Sequence, residues 1–232
     1  MNLAPRQKPP LGAKINYGHP LSAGLVGCWL FNEGSGDRVQ DYSGQGNHGT
    51  CINMAPQSPT SGWNPGPHGG ALAFDGSNDY VNCGTGSSLN ITRNLTILAW
   101  IYPQSFGESS FGRIVDNSPA PNNAGYSFLV ANSGGPVAAL QYSDLGITIV
   151  NSDNNVVNLN IWQQVAIAHN GSTANFFVNG KTAGSPSLTN YPTVSTNSLV
   201  VGIRNGDKLR AFYGLINSVH IYNRALSAAE VA

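Results

Sequence analysis

The chain has 232 residues with 11 basic and 11 acidic side chains, a formal net charge of zero, and only 9% charged against 41% hydrophobic residues. Without a basic cluster it has no means of gripping a nucleic-acid backbone, which takes several Lys or Arg on one face, and no apolar run approaches the roughly 18 residues of a membrane span. With charge this sparse, the polar surface falls to Asn, Ser, Thr, Gln and Gly, which suits sugar hydroxyls or close protein packing and suits phosphate poorly.

Residues 1–22 carry Pro5, Pro9, Pro10 and Pro20 and read as an extended arm ahead of one domain over residues 23–232. The first ten residues are basic but no apolar run follows, so they do not read as a signal peptide, and synthesis in the cytoplasm is expected. Strand signals begin at residue 24, with an apolar run over 24–31. The runs 71–74 and 80–83 flank a turn at 75–79. The run 95–102 is apolar on both sides of its pleat, which predicts a central strand covered on both faces. Further strands are expected over 113–115, 126–131, 137–142, 162–169, 175–178, 199–203 and 212–222. Asn179-Gly180 is the best hairpin turn in the chain, because both residues readily take the positive φ of a type I′ turn. Only residues 225–231 read as helix, with Ser227 as N-cap. Many short strands and almost no helix predict an all-β sandwich or jelly roll.

Three cysteines, Cys28, Cys51 and Cys83, lack any CxxC spacing, which argues against structural zinc. Buried free thiols are the expectation, with one disulfide and a spare thiol as the alternative.

Four stretches then resemble a known family. They are Gly27-Cys28-Trp29-Leu30-Phe31-Asn32-Glu33-Gly34; Asp41-Tyr42-Ser43-Gly44-Gln45-Gly46-Asn47-His48-Gly49; Ala71-Leu72-Ala73-Phe74-Asp75-Gly76-Ser77-Asn78-Asp79-Tyr80-Val81; and the ending from Gly214 to Ser227. Over residues 24–231 the chain resembles the laminin-G-like jelly-roll family of the concanavalin A-like lectin/glucanase superfamily. The resemblance implies a two-sheet antiparallel jelly-roll sandwich with a short C-terminal helix. It says little about function, because this fold carries lectins, pentraxins, adhesion domains, glycosidases and virion proteins.

Candidate sites follow from residue chemistry and from that resemblance. Glycoside hydrolysis needs two carboxylates at fixed separation, yet Glu33, Glu108 and Glu230 are scattered and no Glu-x-Asp-x-x-Glu string occurs, so a non-catalytic module is expected. The loop from Asp41 to Asn47 offers oxygen ligands of the kind calcium takes. The resemblance implies a structural calcium joining this loop to the last strand, where Asn217 stands in place of the usual Asp. Equally, Asp41 and Asn47 can simply form Asx turns. By its resemblance to pentraxin loops, the segment 114–126 offers Asn122, Asn123 and Tyr126 as ligand contacts, and 202–207 offers Arg204, Asn205 and Asp207, an amide- and aromatic-lined sugar site. Trp63, in a stretch too rich in Pro and Gly to read as strand, is expected to be an exposed contact residue. The combined expectation is a virion-surface protein, a bacteriophage decoration or fibre component with a glycan-binding role. Its alternative is a free carbohydrate-binding or adhesion module, with a glycosidase behind both. Expected partners are a glycan, capsid or other virion proteins through the arm, and further copies of the chain in a homo-oligomer. The expected location is the virion surface, otherwise extracellular.

Overall fold

The computed structural model describes residues 7–119, 124–133, 138–144 and 148–232. In chain order the strands are β1 (Leu25–Trp29), β2 (Arg38–Val39), β3 (Gly49–Ile52), β4 (Gln57–Ser58), β5 (Ser61–Gly66), β6 (Gly69–Asp75), β7 (Tyr80–Asn82), β8 (Leu95–Pro103) and β9 (Arg113–Asp116). There follow β10 (Tyr126–Ala131), β11 (Ala139–Asp144), β12 (Thr148–Asn151), β13 (Gln163–His169), β14 (Ala174–Val178), β15 (Lys181–Thr182), β16 (Val200–Val201), β17 (Tyr213–Tyr222) and the helix α1 (Ala228–Val231). They form two antiparallel sheets. The nine-stranded sheet runs β15-β14-β13-β8-β17-β6-β5-β4, with β1 also on β17. The eight-stranded sheet runs β12-β11-β10-β9-β16-β7-β3-β2. Both bring strands distant in sequence side by side, as the predicted jelly roll requires.

The core lies between the sheets and is built by strict alternation. From β10 it takes Tyr126, Phe128 and Val130, from β11 Leu140 and Tyr142, from β8 Ile97, Ala99 and Ile101, and from β13 Val165 and Ile167. The opposite residues of the nine-stranded sheet are apolar too. Leu98, Ala166, Ala168, Phe177 and Tyr222 form a second cluster, closed by Leu226 and Val231 at the C-terminus and by Ile15 and Leu21 of the arm. This explains why β8 is apolar on both sides. It also leaves the outer face of the eight-stranded sheet as the one that neither terminal segment covers in these clusters.

The type I′ hairpin is present: Asn179 and Gly180 have φ of 51° and 73°, and Val178 pairs with Lys181. Ser227 caps α1 in a reciprocal capping box with Glu230, although the helix starts later than the expected 225. The three thiols are free. Burial pushes Cys28 up to about 12, helped by the Asp41 charge, so this thiol is inert.

The arm is not a free leader. From Lys8 onward it lies on its own sandwich: Lys8 N–H donates to His68 C=O (3.1 Å), and Asn32 Nδ2 donates to Pro9 C=O (2.9 Å). These arm residues thus find hydrogen-bond partners within the same chain, on the His68 backbone and the Asn32 side chain.

Candidate functional site

A groove of about 420 Å³ crosses the outer face of the eight-stranded sheet. Its floor is a ladder row. Arg113 of β9 pairs with Leu129 of β10, Leu129 with Gln141 of β11, and Gln141 with Asn151 of β12. Each of these alternates with core residues, so the row points away from the core. Gln141 Nε2 donates to Asn151 Oδ1 (2.8 Å), which fixes both amides and leaves Gln141 Oε1 and Asn151 Nδ2 for a ligand. Phe111 and the 202–212 loop, through Arg204 and Arg210, form one wall.

A β-bulge sets the charge pattern. Phe128 pairs with Val115 and Leu129 with Arg113, so Ile114 is an extra residue, and both Ile114 and Val115 lie in the core. The bulge restores Arg113 and Asp116, three residues apart, to the same face, where Arg113 Nε donates to Asp116 Oδ2 (3.1 Å). Asp116 Oδ1 also accepts from Ser118 N–H (2.9 Å), Ser118 Oγ (2.9 Å) and Asn205 N–H (3.3 Å). Burial pushes the Asp116 carboxyl up from the ordinary range, while Arg113 and these donors hold it down. Burial lowers Arg113 to about 10, so its guanidinium stays charged at neutral pH. Arg204 Nε donates to Asp207 Oδ1 (2.8 Å), and its Nη2 bonds Asp207 Oδ2. The Arg210 guanidinium lies over the Phe111 ring, 4.6 Å from its centroid.

Of the expected ligand contacts, Arg204 lines this groove and Asp207 acts through it by holding its guanidinium. Asn205 is buried in its own loop, where Nδ2 donates to Ser198 C=O (2.6 Å) and Oδ1 accepts from Lys208 (2.7 Å). Asn122 and Asn123 lie outside the described residues. Two expectations are corrected. Tyr126 is 1% exposed and points into the core, its hydroxyl donating to Leu89 C=O (3.0 Å). Its place in the alternation with Phe128 and Val130 carried that signal. Trp63 is 4% exposed, in β5, with Nε1 donating to Gly36 C=O (2.8 Å). Pro65 does not break this strand, because β4 pairs only with Ser61 and Gly62 and leaves the edge at Pro65 unpaired. Arg113, Gln141, Asn151 and Arg210 escaped the sequence reading. The signal for Gln141 was a polar residue set between Leu140 and Tyr142 in an apolar run.

The oxygen-rich loop does not fit a metal. Asp41 Oδ1 accepts from Cys28 N–H (3.0 Å) and Ser43 N–H (2.8 Å), and Oδ2 from Ser43 Oγ (2.8 Å) and Asn47 N–H (2.9 Å). Four donors turn their hydrogens to the carboxylate, as in an Asx turn. Asn47 Nδ2 donates to Val26 C=O (2.9 Å) and to Ser88 Oγ (2.9 Å). Asn217 marks where β17 changes partner: Tyr213–Ile216 pair with β6 and Val219–Tyr222 with β1. There the cation is the protein's own. Lys8 Nζ donates to the carbonyls of Asn217 (2.7 Å), Gly70 and Leu30, while Asn217 Nδ2 donates to Gly70 C=O (2.8 Å). Three N–H donors meet three carbonyls left where the strands diverge. Burial lowers Lys8 to about 7, opposed by Glu33.

Sequence comparison with curated proteins finds no match. Among solved structures, the chain is similar to domain 4 of AbnA, a GH43 extracellular arabinanase from Geobacillus stearothermophilus, in complex with arabinotriose. The TM-score is 0.68 at 18% identity, covering 90% of this chain and 97% of that one. It is also similar to the binding domain of Paraclostridial Mosquitocidal Protein 1, with TM-score 0.68, 18% identity and coverage of 91% and 51%. A third likeness is to the botulinum neurotoxin serotype D ligand binding domain in complex with N-acetylneuraminic acid, with TM-score 0.60, 16% identity and coverage of 90% and 50%. The chain thus spans about half the length of the two toxin domains. At these identities the likenesses show the fold. The sequence profile of one laminin-G-type family matches residues 75–232, more than half of the chain, and on that match the chain belongs to the concanavalin A-like lectin/glucanases superfamily.

Proposed function

We propose that this protein is a non-catalytic carbohydrate-binding module whose ligand lies across the outer face of the eight-stranded sheet. The observation that carries this reading is the row of Gln141 and Asn151, two amides locked to each other at the floor of an open groove. Such amides match sugar hydroxyls at fixed spacing, and their preorganisation spares the ligand the cost of ordering them. No carboxylate lines the groove among the described residues, so a paired acid and base for glycoside hydrolysis has no place there. The similar fold in complex with arabinotriose supports the substrate class, as does the likeness to half of a toxin ligand binding domain in complex with N-acetylneuraminic acid. The test is a glycan panel with the full chain and with Asn151→Ala. Binding of at least one oligosaccharide is expected, weakened about fivefold by loss of one neutral hydrogen bond. Binding that Asn151→Ala and Gln141→Ala both leave untouched would move the site elsewhere.

A virion-surface setting is the second reading. It is favoured by Leu11 and Tyr17, which remain 58% and 72% exposed on the docked arm and offer apolar contacts to a neighbour.

A further inference from the structure

Three of the chain's seven arginines, Arg113, Arg204 and Arg210, line this one groove. Two are held from behind by carboxylates, Arg113 by Asp116 and Arg204 by Asp207. What remains unfilled points to a ligand. Arg113 Nη1 is buried and has no hydrogen-bond partner among the described residues. The Arg210 guanidinium rests on Phe111, and among the described residues no carboxylate lies within 4 Å of it. An unpartnered guanidinium N–H in a buried position is costly, and a chain this poor in charge has few cations to spare.

We propose that the groove selects glycans bearing a carboxylate, a uronate or sialate sugar seated against Arg210, with the buried Arg113 charge beneath it, while neighbouring rings lie over Gln141 and Asn151. This rests on the carbohydrate-binding reading and specifies its ligand class. A carboxylate is planar and matches the guanidinium fork with two parallel hydrogen bonds, which a hydroxyl cannot do. The fork of Arg210 is preorganised by its stacking on Phe111. Burial chiefly, and repulsion by Arg210 and Arg204 as well, lower Arg113 despite Asp116. A bound anion offsets that repulsion at Arg210, the one of the three without a carboxylate within 4 Å among the described residues.

The experiment is calorimetric titration of the full chain with two matched pairs. One pair is an oligogalacturonate and its fully methyl-esterified form; the other is sialyllactose and lactose. A carrageenan oligosaccharide, sulfated and free of carboxylate, serves as the sulfated comparison. The expected result is that at least one acidic member binds about tenfold or more tightly than its neutral partner. Arg210→Ala should abolish that preference, and Arg210→Lys should restore it only in part, with melting curves confirming that both variants fold. The pair that binds distinguishes uronate from sialate. Equal affinity for acidic and neutral members, unmoved by Arg210→Ala, would overturn the charge selectivity and leave the carbohydrate reading standing. Binding confined to the sulfated carrageenan oligosaccharide would overturn the carboxylate assignment. No binding to any of these sugars, with a neutral ligand found on the glycan panel, would overturn the carboxylate selectivity, and no ligand on the panel either would overturn both.

Discussion

His220 faces the problem that Lys8 creates. Burial lowers its ring to about 4, with the Lys8 charge adding to the effect, against an ordinary 6.5. A histidine whose folded value lies below its unfolded value favours folding while neutral. Its contribution is therefore complete above pH 6.5 and is lost as pH falls from 6.5 to 4, because the unfolded chain takes up the proton first. At about 1.4 kcal/mol per unit the loss is at most about 3.5 kcal/mol. Urea unfolding of the wild type should therefore weaken over that window, and His220→Gln should flatten the slope there. A His220→Gln protein with the same pH slope as wild type would show that other groups carry the effect. Lys8 itself illustrates what a sequence hides. Nothing in the Pro-rich run around it announces that its ammonium meets three carbonyls, two of them from β6 and β17.

At the scale of elements, the bulge in β9 matters most, since it places Arg113 and Asp116 on one face. Removing one partner of a buried pair strands the other, so Asp116→Ala should cost about 3–5 kcal/mol in denaturant unfolding. The double substitution Arg113→Met with Asp116→Leu should recover part of that loss. A double variant as unstable as the single one would mean that the loop hydrogen bonds of Asp116, and not the ion pair, hold the 202–212 segment. The Asp41 loop gives a second expectation. With both carboxylate oxygens already taken by four donors, calcium and chelator should give coincident melting curves. A higher melting temperature in calcium would show that the loop opens to bind it. Long apolar strands such as β8, β10 and β17 were legible from their own residues. The strands β2, β3, β4, β5 and β12 were not. Two of these, β2 and β4, are two residues long, and β5 carries Pro65 on an unpaired edge, so pairing partners far along the chain define them more than their own residues do. The groove was half legible for a related reason. Arg204 stood out in its polar loop, whereas Gln141 and Asn151 meet only through the register between β11 and β12.

The whole molecule assigns different work to its two outer faces. On the nine-stranded sheet, Ile15 and Leu21 of the arm and Leu226 and Val231 near the C-terminus cover Leu98, Phe177 and Tyr222. Arg224 joins the two coverings, with Nε donating to Ala23 C=O (2.7 Å) and Nη2 to Glu230 (2.8 Å). The groove is on the other sheet, with the core between. Deleting residues 1–22 should therefore uncover the second cluster and strand the carbonyls of Leu30, Gly70 and Asn217, at a cost on the order of 2–4 kcal/mol. It should leave the groove and its affinity for sugar unchanged, because none of Phe111, Arg113, Gln141, Asn151, Arg204 and Arg210 belongs to the arm or to the cluster it covers. A truncated protein with a lowered melting temperature and intact glycan affinity would assign the arm to stability. If truncation instead left the melting temperature unchanged and abolished a higher-order assembly seen with the full chain, the exposed Leu11 and Tyr17 would be assembly contacts, and the virion-surface reading would take precedence over the free module.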